Sequence, residues 1–148
     1  MADQPRSVLI VCSTNTVRSP MAAALLRHLF GHRIFVDSVG VRHRDGVDPF
    51  AVAAMEEFGL DIAAHRPRSF DDLEDADFDL IVTLSPEAQH RAMELTRDTD
   101  CVVEYWPTMD PTAVTGNREV RLDAYRQVRD GLMARIRDRF GGPPPPGG

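Results

Sequence analysis

Cys12 opens a short stretch, Cys12-Ser13-Thr14-Asn15-Thr16-Val17-Arg18-Ser19-Pro20, that places a thiol, a guanidinium and several hydroxyls within one loop's length. The residues before it, Val8-Leu9-Ile10-Val11, make a short continuous apolar run with β-branched side chains, the pattern of a buried strand. From Pro20 onward Met21, Leu25 and Leu29, with neighbouring alanines, recur at helical spacing and stop at Gly31. A strand therefore enters the stretch and a helix leaves it. Amides at a helix start lack intrahelical acceptors, and with the positive end of the helix dipole they form an anion site suited to phosphate. The anion-binding set is then Ser13, Thr14, Asn15, Thr16 and Val17, together with Arg18, whose planar guanidinium can hold two oxygens at once. Cysteines placed near such a helix start or beside Arg become thiolates readily, and Ser19 is placed to donate its hydroxyl to one. A Cys-x5-Arg spacing alone is a weak signal. The preceding strand and the Arg-Ser-Pro helix start give it weight.

The elements that must position this loop follow from alternating periods. Ile34-Phe35-Val36, ending at Asp37-Ser38-Val39-Gly40, is a second strand. Asp48-Pro49 is an N-cap with proline at the first helical position, opening a helix through Phe58 that Gly59 ends. Leu80 to Leu84 is a third strand, Ser85-Pro86-Glu87 caps the helix after it, and Cys101 to Tyr105 is a fourth strand. After an irregular Pro-, Thr- and Gly-containing stretch, a long helix runs from Arg118 to Phe140 with Val120, Ala124, Val128, Leu132 and Ile136 repeating every four residues. Strands alternating with helices predict a single α/β domain: a four-stranded parallel sheet with helices on both faces. Ligands of open parallel sheets bind at the carboxyl ends of the strands, where Cys12 falls. The domain is expected over residues 7–140, after an N-terminal arm (1–6) and before a disordered Pro/Gly tail (141–148).

A site of this kind needs an acid for the leaving group. Two Asp-Pro pairs are candidates, and capping explains Asp48-Pro49 fully. Asp110-Pro111 lies in an irregular loop after the last strand, at the same end of the sheet as Cys12. There it is either a plain turn or an acid reaching across the site, kept protonated by the shielding of Trp106 and Pro111.

Composition narrows the class. An apolar fraction of 43% and a charged fraction of 27% over 148 residues are those of one globular domain. The net charge of −6 argues for solubility and against a nucleic-acid surface, although all 17 of the Lys and Arg residues are arginine, the better residue for bidentate phosphate contacts. The start shows no signal peptide, no run spans a bilayer, and two cysteines make no disulfide framework, so the cytoplasm is the expected compartment and no membrane partner is expected. The sequence is silent on oligomeric state.

The stretch Val11-Cys12-Ser13-Thr14-Asn15-Thr16-Val17-Arg18-Ser19-Pro20-Met21-Ala22 resembles the signature of the low-molecular-weight protein-tyrosine phosphatases. The resemblance continues through Val36 to Gly40, through Gly59 to Arg68, and to Asp110-Pro111. It implies a flavodoxin-like architecture and a metal-free, cofactor-free hydrolysis of a phosphorylated protein or small phosphomonoester. By the same resemblance Cys12 attacks phosphorus to form a phosphocysteine, Arg18 and the loop amides hold the oxygens, and Asp110 is the acid. Asn15, Ser19, Ser38 and His65 match the network that supports the loop. Asn15 suits a left-handed backbone, whereas His65 alone would pass for a partly exposed loop histidine. Four positions depart from the family: Val17 stands where a second loop cysteine is common, Thr112-Ala113 where animal enzymes carry aromatics, Arg42-His43-Arg44 in place of another aromatic, and Ser85 in place of an aspartate. Two rival readings use the same fold. An arsenate reductase with an internal disulfide relay needs more cysteines than Cys101, which falls in a predicted strand, and leaves only a version using an external thiol; a non-catalytic phosphoprotein-binding domain predicts loss of Cys12, Arg18 or Asp110, all present.

Overall fold

The computed structural model describes residues 4–73 and 77–141. The expected tail lies outside the described residues apart from Gly141, as does the beginning of the expected arm. Four strands, β1 (Ser7–Cys12), β2 (Phe35–Gly40), β3 (Leu80–Thr83) and β4 (Val102–Tyr105), pair in parallel in the order β2-β1-β3-β4. Four helices, α1 (Arg18–Phe30), α2 (Pro49–Glu56), α3 (Pro86–Leu95) and α4 (Arg118–Phe140), complete the α/β domain predicted from sequence. None of the described helices is long and apolar enough to cross a membrane.

Side chains of a strand alternate between faces, and β1 shows it. Val8, Ile10 and Cys12 enter the larger core against α1, α2 and α4, while Leu9 and Val11 enter a smaller one with Ile81 and the α3 residues Ala88 and Ala92. Both faces of β1 are covered, which is why it is apolar throughout rather than alternating. Between β1 and β3 the connections leave in opposite directions, so a crevice opens there at the carboxyl ends of the strands. Cys12 ends β1 on one side of that crevice and Ser85 follows β3 on the other.

Helix starts explain much of the rest. Asp48 Oδ1 accepts from the Phe50 amide at 2.8 Å and Ser85 Oγ from that of Ala88 at 3.1 Å, each with proline at the first helical position. Such caps are each worth about 1 kcal/mol. Several boundaries differ from expectation: β2 begins at Phe35 rather than Ile34, and β3 ends at Thr83 rather than Leu84. Helix α1 begins at Arg18, two residues ahead of Pro20, which then occupies the first turn where its missing N–H is not needed. Helix α2 ends at Glu56 and reaches Gly59, φ +74°, through a turn. Strand β4 begins at Val102, so Cys101 lies outside it.

The stripe expected on α4 is also incomplete, because Val120 is 50% exposed. With 3.6 residues per turn, each step of four advances about 40°, so five such positions sweep about 160° and the first leaves the core. The face that packs is Leu122, Tyr125, Val128, Leu132, Ile136 and Phe140, and it includes the buried Arg129. That guanidinium donates to the Ala54 carbonyl at 2.7 Å and to Glu57 at 2.8 Å.

Candidate active site

The loop between β1 and α1 wraps around the sulfur of Cys12, which is 2% exposed. Its carbonyls are turned outward: those of Cys12, Ser13 and Thr16 accept from the amides of Val41, Arg42 and Asp48, each at 3.0 Å. The amides of Asn15 and Ser19 approach Sγ at 3.3 and 3.4 Å, and Ser19 Oγ lies 3.0 Å from it. Amides can only donate. Ser19 Oγ already accepts from the Asn15 side-chain amide at 2.8 Å, which leaves its proton for the sulfur or for the more distant Val39 carbonyl at 3.4 Å. Two backbone amides therefore donate to Sγ and a hydroxyl lies beside it, an arrangement that can stabilise negative charge on the sulfur.

Asn15 organises the far side of the loop. It is fully buried, with φ +59°, a left-handed conformation that asparagine tolerates better than most residues. Its Nδ2 donates to Ser19 and, at 3.0 Å, to Ser38. Its Oδ1 accepts from the Arg68 backbone amide at 2.9 Å and faces His65 Nε2 at 3.0 Å. Because the Arg68 N–H can only donate, the orientation of the amide is fixed, and His65 must carry its proton on Nε2. Burial holds the imidazole below its ordinary pKa against the opposing effect of the hydrogen bond it donates to Asn15, and the guanidiniums of Arg68 and Arg27 add to the lowering. His65 thus serves the loop as a donor from Nε2. The structure brings together all four residues expected to support the loop: Asn15, Ser19, Ser38 and His65.

Arg18, 9% exposed, leads from the loop to the other side of the crevice, where its Nη1 donates to the Thr108 carbonyl at 3.0 Å. That contact ties the loop after β1 to the segment that carries Asp110. On the lip, Ser13 Oγ donates to Ser85 Oγ at 3.1 Å across the crevice, and the hydroxyls of Thr14 and Thr16 meet at 2.8 Å. Val17 is buried with the core and contributes no polar side chain.

The two aspartates of the Asp-Pro pairs differ sharply. Asp48 has both oxygens engaged, Oδ1 by the Phe50 amide and Oδ2 by the Tyr125 hydroxyl at 2.9 Å. Asp110 starts a single 3-10 turn, Pro111–Ala113, and among the described residues only its Oδ1 is engaged, by the amide and hydroxyl of Thr112 at 3.0 and 2.7 Å. The turn accounts for Oδ1, and among the described residues no donor meets Oδ2.

Three contributors were not visible in the sequence. Gly40 packs so closely behind the loop that a Cβ there would lie 2.8 Å from the Asn15 nitrogen and 2.3 Å from the Arg42 carbonyl oxygen. Arg68 acts through its backbone amide, while its guanidinium pairs with Asp37. Thr108 acts through a carbonyl. A glycine closing a strand was the one available signal; backbone donors and acceptors carry none.

The chain matches the family model for low molecular weight phosphotyrosine protein phosphatase over residues 7–140. It is 33% identical over 132 residues to an arsenate reductase of Shouchella clausii, covering 88% of this chain and 91% of the relative. Among solved structures, the arsenate reductase of Archaeoglobus fulgidus is 29% identical with a TM-score of 0.71, covering 91% of this chain and 99% of its own. The YwlE arginine phosphatase of Geobacillus stearothermophilus is 25% identical with a TM-score of 0.75, covering 92% and 90%. Hydrolases and reductases thus share this fold and length, and a chain matched from its first strand to the end of its last helix belongs to the low molecular weight phosphotyrosine protein phosphatase family.

Proposed function

We propose that this protein is a phosphomonoester hydrolase working through a phosphocysteine on Cys12. The observation that carries the reading is the convergence of two backbone amides and the Ser19 hydroxyl on a buried Sγ, in a loop whose Arg18 is tethered to the Asp110 segment. In the first step the thiolate forms a bond to phosphorus and the bond to the leaving oxygen breaks, with Asp110 supplying that oxygen's proton. In the second, water attacks phosphorus, the P–S bond breaks, and Asp110 takes a proton from the water. Arg18 and the loop amides hold the equatorial oxygens as charge develops on them. The chain's own residues account for every proton in both steps. The substrate is a phosphate ester carried by a protein or a small molecule.

A second reading, arsenate reduction, is favoured by the name of the 33% identical relative. An internal relay is disfavoured by position. Cys101 is level with Ser7 at the amino end of the sheet, because Val102 pairs with Leu80 and Leu80 with Val8. Five residues of strand separate that level from Cys12, about 16 Å at 3.3 Å each, whereas disulfide Cα atoms sit within about 7 Å. Burial, then the carboxylates of Asp79 and Asp77, also push the Cys101 thiol up, which weakens it as a thiolate. Reduction on this scaffold therefore calls for an external thiol. The test is p-nitrophenyl phosphate turnover by wild type and Cys12→Ser, beside arsenate turnover with glutathione and glutaredoxin. Metal-independent phosphate release lost in the serine variant supports hydrolysis. Arsenate turnover with negligible phosphate release would replace it by reduction.

A further inference from the structure

The segment joining β4 to Asp110 also forms one wall of a separate cavity. Trp106 and Met109 face Val128, Gly131, Leu132 and Arg135 of α4 across a groove of about 330 Å³, and none of residues 12–18 lines it. Its floor is apolar, with Trp106, Val128 and Leu132 all buried. At one end the Arg135 guanidinium lies 5.2 Å from the Trp106 ring centroid, and among the described residues it has no carboxylate partner. Gly131 is the unexplained member. It stands in the middle of a 23-residue helix, its φ is ordinary, and a Cβ built on it meets nothing within 4 Å. Glycine is the poorest helix former short of proline, and neither close packing nor a left-handed backbone requires it here. What its missing side chain does is leave the groove open.

An apolar floor with a guanidinium at its end, resting on an indole and without a carboxylate partner among the described residues, has the make-up of a small-ligand pocket. A flat ring would lie against Trp106, Val128 and Leu132, and a carboxylate on that ring would meet Arg135. The wall is also tied to the proposed chemistry. The Trp106 and Thr108 amides hang from the carbonyls of Thr83 and Leu84, and the Thr108 carbonyl holds Arg18. We propose that this groove binds a small aromatic carboxylate and that its occupancy alters turnover through Thr108 and Arg18. The kinetic half rests on the hydrolase reading above, while the binding half does not.

The test uses trans-cinnamate on the full chain saturated with inorganic phosphate, so that the Cys12 loop is filled. Trp106 is the one tryptophan of the chain, so its indole N–H gives a single cross-peak in a nitrogen-correlated NMR spectrum. Cinnamate should shift that peak saturably, with cinnamyl alcohol and the Arg135→Gln variant each binding about fivefold more weakly for want of the ion pair. Gly131→Leu should abolish the shift, and cinnamate should change the kcat of wild type at saturating substrate but not that of Gly131→Leu. Should Gly131→Leu not fold, Arg135→Gln and the alcohol still decide the matter. No saturable shift by about 10 mM, equal binding of acid and alcohol, or an unchanged shift in Gly131→Leu would overturn the site. Binding without any change in kcat would overturn the coupling. Absence of hydrolysis with binding intact would instead count against the hydrolase reading alone.

Discussion

Replacing Asn15 separates the loop's backbone from its side-chain support. Asn15→Gly keeps the φ of +59° accessible and removes four hydrogen bonds, two donated to Ser19 and Ser38 and two accepted from Arg68 and His65. The serine hydroxyls can rotate toward other acceptors. The Arg68 amide and the His65 N–H are fixed donors, and leaving each unsatisfied costs about 1–3 kcal/mol. With partial relaxation, Asn15→Gly should destabilise the fold by about 3 kcal/mol. Asn15→Ala adds about 1 kcal/mol for forcing a Cβ into the left-handed region. Urea unfolding measures both, and the difference between the two variants isolates the backbone contribution. Turnover should fall further than stability implies, because the same amide sets the distances from Ser19 to Sγ, and a misplacement of about 1 Å in such a site costs about two decades in rate. Stability within about 1 kcal/mol of wild type for both variants, with turnover also preserved, would refute the claim that Asn15 holds the loop.

Arg18→Lys should be nearly as damaging as Arg18→Ala, about two to three decades in kcat/KM, since lysine keeps the charge and loses the two-pronged contact; a lysine variant of near wild-type rate would show that only the charge matters. Glu57, held at about 2 rather than its ordinary 4.5 by hydrogen bonds from Arg126 and then Arg129, contributes stability that is complete above 4.5 and lost as pH falls toward 2. Urea unfolding across that window should show a slope that flattens in Glu57→Gln. Tyr125→Phe strips Asp48 of its hydroxyl donor and should lower unfolding stability by about 2 kcal/mol; a negligible change would mean that this pair does not anchor α4 to the start of α2.

How much of this was legible depended on what kind of group did the work. Helix starts signalled by Asp-Pro and Ser-Pro were visible because a side chain does the capping, and Ser85 caps α3 as expected. The loop from Cys12 to Arg18 was visible as a loop because it lies wholly between one strand and one helix. Val120 misled because a four-residue spacing imitates a helical face only over about two turns. Arg129 was invisible as a core residue because its burial depends on the Ala54 carbonyl and Glu57, 75 and 72 residues away. The contacts of Arg68 and Thr108 with the site run through backbone atoms, which every residue possesses. His65 lies between these cases: its type permits the network, but only the fold brings it to Asn15, 50 residues away.

The choice of acid shows how two identical dipeptides are told apart. Both Asp-Pro pairs start a helical turn, and capping alone would explain either. Asp48 is enclosed by two donors on different oxygens, so protonating it would leave the Phe50 amide or the Tyr125 hydroxyl facing a group that can no longer accept freely. Asp110 gathers its hydrogen bonds with the described residues on Oδ1, so the turn does not depend on Oδ2. If Asp110 serves the leaving oxygen, Asp110→Asn should slow alkyl phosphates by about two to four decades, yet barely affect activated aryl phosphates, whose leaving groups depart without a proton. Asn retains the Oδ1 contacts, so the turn and the Arg18–Thr108 tether should survive, and KM should change less than kcat. Asp48→Asn should instead lower stability through the Tyr125 contact and slow all substrates alike, if at all. Equal slowing across leaving groups in Asp110→Asn, or a leaving-group dependence that appears in Asp48→Asn, would move the proton to the other aspartate.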